Sequence, residues 1–190
     1  MRRHVLVAWS VAAVVVFGAC GGSSKTSTPT PGTQQAQPAA ATSVTYAPAG
    51  PNPSISAKMV CQAEAQTEIA SALSVKTTRV TTPTWVNHLY SCTYVYPNGS
   101  IVLSVKELST AGETTAYYNS LATKYGKRQN INGLAQGAFI ALNDDVVVRK
   151  DYKVLLVNVA GIPANFVPAS TRTDVAENIA ATIMSCWSGA

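Results

Sequence analysis

Few residues in this chain are of a type that does chemistry. Beyond the first twenty residues there is a single histidine, His88. A Ser-His-Asp site would have to be built on it, with Asp144, Asp145, Asp151 or Asp174 orienting the imidazole. No Gly-x-Ser-x-Gly elbow is present to hold a serine. His88 therefore reads first as a strand-end histidine, and a small hydrolase is the minor reading. Metal chemistry finds no Cys-x-x-Cys, no His-x-x-x-His and no Asp-rich loop of calcium spacing. Asp144-Asp145 fits a turn between strands. Gly133 and Gly137 lack the spacing of a phosphate-binding loop and read as a bend leading into a strand. Glu64 and Glu68 stand one helical turn apart, as a solvated helix face would place them. No residue is assigned a catalytic, cofactor or metal role. The tyrosines are of more interest. Most should be core, but Tyr90, Tyr94 and Tyr96 on a strand with Tyr118 and Tyr125 on a helix could line an amphipathic pocket. Their phenols would orient a lipid or glycan there, as in a lipid or glycolipid carrier.

Cysteine is the other reactive residue, at positions 20, 61, 92 and 186. Cys20 closes a leader. Met1-Arg2-Arg3-His4 is a positive n-region, followed by thirteen mostly apolar residues from Val5 to Phe17 and then by Gly18-Ala19-Cys20. Thirteen helical residues reach roughly 20 Å, short of the ~30 Å hydrocarbon core, which favours an export signal over a membrane span. Small residues before the cut suit cleavage, but a plain secretory site has no need of a cysteine.

With that cysteine in place the leader resembles those of bacterial lipoproteins. Phe17-Gly18-Ala19-Cys20 is similar to a lipobox, an aliphatic residue and two small residues before cysteine, with Phe17 replacing the usual Leu, Val or Ile. The resemblance implies diacylglycerol on the Cys20 thiol and an acylated, palmitate-type mature N-terminus. It places the protein on the outer face of the bacterial cytoplasmic membrane. Two acyl chains give durable attachment where one would be marginal.

Residues 1–19 are thus expected to be a signal peptide, 20–54 a tether and 55–190 one extracytoplasmic domain. Residues 21–54 hold six of the ten prolines and one charge, Lys25, and have no hydrophobic periodicity. Such a segment cannot bury enough surface to offset ordering entropy, and as a coil it would span roughly 30–35 Å. This division changes the meaning of the bulk composition, which is 47% hydrophobic and 12% charged with net charge +5. The leader supplies much of the apolar fraction. Removing Arg2, Arg3 and Lys25 leaves +2, with no arginine-rich face or lysine run for nucleic acid.

From Ile55 onward the pattern predicts α+β architecture: an antiparallel sheet with packed helices, in the order α-β-β-α-β-β-β-α. Ser56 can cap a helix over 57–73, whose stripe is Cys61, Ala65, Ile69 and Leu73. Asn98-Gly99 signals a two-residue hairpin turn pairing Tyr96 with Ile101, Tyr94 with Leu103 and Cys92 with Val105, so that Cys92 points inward. Thr110 and Glu113 make a capping box for a helix ending at Gly126, with Tyr118, Leu121, Ala122 and Tyr125 as its stripe. Strands follow over 138–142, 146–150 and 152–159. A last helix over 173–187 places Val175, Ile179, Ile183 and Cys186 on one side.

Export to an oxidising compartment predicts one disulfide among Cys61, Cys92 and Cys186, and position along the chain leaves all three pairings open. The domain also resembles small domains of unknown function in actinobacterial, mycobacterial-type envelope lipoproteins, and extracellular sensor domains related to them. A cysteine in the first helix, the Ser91-Cys92-Thr93-Tyr94 strand, the segment 133–138 (GLAQGA) and the closing amphipathic helix carry that resemblance. It implies the pairing Cys61–Cys92 and an accessory or sensor-like role without catalysis. The expected partners are the membrane, through Cys20, and an envelope ligand or protein.

Overall fold

The computed structural model describes residues 48–187; the leader, Cys20 and the tether as far as Ala47 lie outside the described residues. The elements are α1 (Ile55–Met59), α2 (Ala63–Leu73), β1 (Arg79–Val80), β2 (Thr84–Val86), β3 (Leu89–Tyr96) and β4 (Gly99–Glu107). They continue with α3 (Ala111–Tyr125), β5 (Lys127–Ile131), β6 (Gly137–Ala141), β7 (Val146–Lys150), β8 (Lys153–Asn158) and α4 (Arg172–Trp187). The strands form one antiparallel sheet in the order β1-β3-β4-β8-β7-β6-β5, with β2 also paired to β3. The fold is α+β, as the pattern predicts, and three short strands join the predicted order.

Each of the three escapes periodicity for a physical reason. β1 and β2 are two and three residues long and share the free edge of β3 on either side of Pro83. Proline cannot donate to a ladder and belongs at such an edge. β5, with the sequence KRQNI, is exposed along nearly its whole length and borders only β6. Its Lys127 and Arg128 are the charges that keep an open edge from pairing with another chain.

The helix predicted over 57–73 is two helices. Ser54, not Ser56, is the N-cap: its Oγ accepts from the Ala57 N–H and donates to the Glu107 carboxylate. The break falls at Val60–Gln62. In a continuous helix the Val60 carbonyl would accept from the residue four positions on. Here it accepts from the Tyr94 hydroxyl at 2.7 Å, and Cys61 is bonded to Cys92 with their Cα atoms 6.1 Å apart. The residues at the break bond three positions back instead, Cys61 N–H to Lys58 and Gln62 N–H to Met59.

The β3–β4 hairpin differs from expectation by two residues of register. Tyr96 pairs with Gly99, Tyr94 with Ile101 and Cys92 with Leu103. Pro97-Asn98 forms the turn, with proline's fixed φ suited to its first corner. Gly99 starts β4, where a Cβ would stand 2.5 Å from the Gly161 carbonyl oxygen. A shift of two preserves which face each side chain occupies. Cys92 therefore still points into the core.

The sheet is covered on both faces. Cys92, Tyr94, Ile101, Leu103, Val105, Ile140, Val146, Val148, Leu155 and Val157 join α1, α2 and α4 in the larger core. Phe139, Ala141, Val147 and Val154 join Leu121 of α3 in a smaller one. Burial on both sides is why β6, β7 and β8 read as nearly continuous apolar runs, while β3 and β4 alternate with Ser91, Thr93, Ser104 and Lys106. Val175, Ile179 and Ile183 of α4 are buried as the stripe predicts, each contributing about 1.5–3 kcal/mol.

Opening the loop closed by Cys61–Cys92 should cost about 3–4 kcal/mol on the chain-entropy account. We expect a Cys61→Ser/Cys92→Ser chain to unfold at distinctly lower urea than the oxidised protein. Equal midpoints would show that the bond contributes nothing.

Candidate functional site

The two ends of the sheet differ in character. At one end the segment before α1 is strapped down. Ala49 N–H donates to the Leu108 carbonyl at 3.0 Å, the Trp85 indole donates to the Pro51 carbonyl at 2.9 Å, and Ser54 N–H and Oγ both donate to Glu107. The opposite end carries the Pro97-Asn98 turn, the β6–β7 turn and the start of α4.

There the adjacent carboxylates Asp144 and Asp145 have contrary surroundings. β6 ends at Ala141, and the chain reverses through Asp144 in the left-handed region, φ 70°. That reversal turns Asp144 outward. It accepts from Arg128 Nη1 at 3.0 Å, Thr173 Oγ1 at 2.8 Å and Arg172 Nε at 3.2 Å, with Arg172 Nη2 at 3.1 Å. Arg128 also donates to Thr173 Oγ1 at 2.7 Å. One carboxylate thus ties together β5, the β6–β7 turn and the first turn of α4. Desolvation pulls its pKa upward, but the donors Thr173, Arg128 and Arg172 and the Arg128 charge outweigh it and hold the carboxyl below its ordinary range.

Asp145 is completely buried. It accepts from Asn143 Nδ2 at 2.8 Å, Asn158 Nδ2 at 2.7 Å and Val159 N–H at 2.9 Å, all neutral donors. Burial pushes its pKa up, the neighbouring Asp144 charge adds to this, and the three hydrogen bonds pull the other way. Its work is internal, holding the end of β8 against the β6–β7 turn.

Outside Asp144 lies a cleft of about 500 Å³ whose polar lining includes Arg128, Ser170, Thr171, Arg172 and Thr173. The Arg128 and Arg172 side chains are 42% and 35% exposed, so their remaining N–H groups face solvent. Asp174 also lines it, but its carboxylate accepts from Thr171 N–H and Oγ1 in a capping box that opens α4. That arrangement holds its pKa below the usual range. The cleft therefore presents two partly exposed cations beside carboxylates that are engaged within the domain. The Thr173 and Thr171 hydroxyls are engaged with Asp144 and Asp174.

The residues singled out from sequence are dispersed. His88 is not in a strand. It occupies an exposed two-residue turn, Asn87-His88, with φ 50° and 58°, and its ring meets Trp85 edge-on at 5.5 Å. Asp144, Asp145 and Asp174 are at the far end of the sheet from His88, and Asp151, in the β7–β8 turn, accepts from Gln136 Nε2 at 3.0 Å. Tyr90, Tyr94 and Tyr96 face the larger core, whereas Tyr118 and Tyr125 pack against the smaller one across the sheet. The five therefore do not share a pocket. Tyr94 spends its hydroxyl on Val60. Tyr96 packs edge-on to Phe166 at 4.9 Å and, among the described residues, its buried hydroxyl has no partner. Burial pushes its pKa up to about 12. Gly133 lies in a turn with φ 78°, and Glu64 and Glu68 are exposed. Among the described residues no group of three metal-ligating side chains occurs. Cys61 and Cys92 form the disulfide, and Cys186 is buried on α4. Cys20 lies outside the described residues.

The sequence places Asp144-Asp145 in a turn and offers them as partners for His88, and neither reading points to the arginine cluster around Asp144. Arg128, Arg172 and Thr173 carry no local signal, because what unites them is the meeting of β5 and α4 at that turn. The chain matches no protein-family model, no curated protein and no solved structure. What defines it is an eight-stranded antiparallel sheet between two unequal helical layers, strapped at one end and carrying a polar cleft at the other.

Replacing Asp145 by Ala leaves the buried Val159 N–H and two half-buried amide donors without their acceptor and should cost about 1–3 kcal/mol in urea unfolding at neutral pH. Asp144→Asn should cost at most about 1 kcal/mol, because its arginine partners are partly screened by solvent. Its lowered pKa stabilises the fold above the unfolded value of about 4, and the contribution is lost as pH falls through the lowered value. The stability gap between wild type and Asp144→Asn should therefore close in acid. A gap that widened there would contradict the clamp.

Proposed function

We propose that this protein is a lipid-anchored component of the bacterial cell envelope. Diacylglycerol on Cys20 holds it to the outer face of the cytoplasmic membrane, and its single domain acts as a non-enzymatic binding module. The observation that carries this reading is the two-ended layout of the domain. The chain coming from Cys20 meets the domain at the strap, Ala49 on Leu108 and Pro51 on Trp85. The cleft lies beyond the other end of the same strands. From Leu108 back to Val102, which pairs with Asn158 beside Asp145, is six residues or roughly 20 Å. A domain held at the strap presents the cleft away from its attachment. The partly exposed Arg128 and Arg172 heads and the Ser170 side chain there suit an oxygen-rich ligand.

Two further observations support the reading. The Cys61–Cys92 disulfide is the chemistry expected of a chain exported to an oxidising compartment. The leader ends in small residues directly before a cysteine.

Expressed in a bacterial host with a labelled fatty acid, the native chain should carry label and enter the detergent phase. Cys20→Ala should lose the label and leave the membrane fraction. A Cys20→Ala protein that stays membrane-bound and labelled would overturn the assignment.

A further inference from the structure

We propose that the strap end of the domain rests on the lipid surface, with Ile55, Val86 and Trp85 as its contact; this rests on the anchoring read above. Three large hydrophobic residues are exposed among the described residues: Ile55 at 75%, Leu142 at 69% and Val86 at 62%. Leu142 belongs to the cleft end, lying over the Gly126 cap of α3. The other two adjoin the strap. Ile55 follows Ser54, which is bound to Glu107, and Val86 follows Trp85, which is bound to Pro51. Where the chain from Cys20 joins the domain, apolar side chains are left uncovered.

Trp85 has the amphipathic placement that favours a bilayer interface. Its indole N–H is satisfied by the Pro51 carbonyl and its ring is partly exposed, with the exposed His88 edge-on beside it. An indole whose polar atom is already paired can enter the headgroup region without losing a hydrogen bond, and its amphipathic ring suits that level of a bilayer.

The length of chain outside the structure, and where it ends, identify the occupant. Twenty-eight residues run from Cys20 to Ala47, and the described chain begins at Pro48, next to the strap's first bond. A coil of twenty-eight residues has an end-to-end distance of roughly 30 Å. A tether of that reach gives an effective concentration on the order of millimolar. Two aliphatic side chains and an indole form a weak surface, too weak to recruit a free domain. Held at millimolar effective concentration, the same surface is occupied for much of the time. The surface within that reach is the leaflet carrying the Cys20 lipid.

The test uses the lipidated mature chain on vesicles of phosphatidylcholine and phosphatidylglycerol, with or without lipids brominated near the headgroup. Trp85 and Trp187 are the tryptophans of the mature chain, and a Trp85→Phe protein supplies the Trp187 background. We expect bromine to lower Trp85 emission at least twofold, and Ile55→Asp/Val86→Asp to restore most of it while the protein still floats with the vesicles. Val86→Asp alone, at a position already open to solvent, should restore part of it if the pair disturbs folding. Protein that floats with unquenched Trp85 would overturn the contact and leave the anchor standing. Protein that does not float would overturn both.

Discussion

At Val60–Gln62 the first helical run gives up its own hydrogen bonding, and the organisation of the domain depends on what replaces it. The Val60 carbonyl accepts from Tyr94 and the next residue is covalently joined to Cys92, so two successive positions of the break are held to one strand two residues apart. A helix bound through side-chain packing alone can slide along a sheet. One bound by a covalent bond and a buried hydroxyl cannot. α2 then stands where Ala65, Ile69 and Leu73 meet α4, whose Val175, Ile179 and Ile183 close the same core. Trp187 completes the layer by donating to the Ser56 carbonyl at 2.9 Å, joining the end of the last helix to the first.

Position along the strands divides labour between the ends. Near the strap the bonds join neighbouring layers through backbone carbonyls and the single buried carboxylate Glu107. Near the cleft they run through the pair Asp144-Asp145. Adjacent residues on a turn normally share an environment, but the left-handed Asp144 sends the two carboxylates in opposite directions. The inner one has neutral donors and a raised pKa, and the outer one has arginines and a lowered pKa. Two carboxylates so close would repel if both sat in the interior; turning one outward to cations relieves that cost. Stability and an outward-facing charged cleft therefore come from one turn.

The legible parts of this fold are those whose signal is local. The capping box of α3 is formed, with Glu113 N–H donating to Thr110 Oγ1 and Glu113 accepting from Ser109 N–H. The α4 stripe and the inward direction of Cys92 are equally local, since each follows from periodicity within one element. What escaped depends on contacts between distant segments. The hairpin register turns on Pro97 taking the corner and on Gly99 lying against Gly161, sixty-two residues away. The helix break needs the position of Cys92. The tyrosines were separated by the sheet itself, because a helix pattern does not say which face the helix will cover. The cleft was hidden in the same way: Arg128 looks like an edge-strand charge and Arg172 like a helix-end charge until both reach Asp144.

Glu107 shows how the N-terminal segment becomes part of the domain. At the end of β4 its carboxylate is buried, and burial of an unpartnered carboxylate would be costly. Ser54 answers it with both its backbone N–H and its hydroxyl, while the same Oγ accepts from Ala57 and caps α1. The strap is therefore required by the core and is not merely laid upon it. Losing residues 48–54 would expose a buried charge and uncap a helix together. Under the attachment proposed above, the mechanical connection would fall in the folded body, on the strand that also pairs with β8 beside Asp145. A pull on the tether would be borne along β4 by the ladder linking strap and cleft, with the Cys61–Cys92 bond on the neighbouring strand. The helix–strand junction at Cys92 and the strap at Glu107 thus occupy adjoining strands.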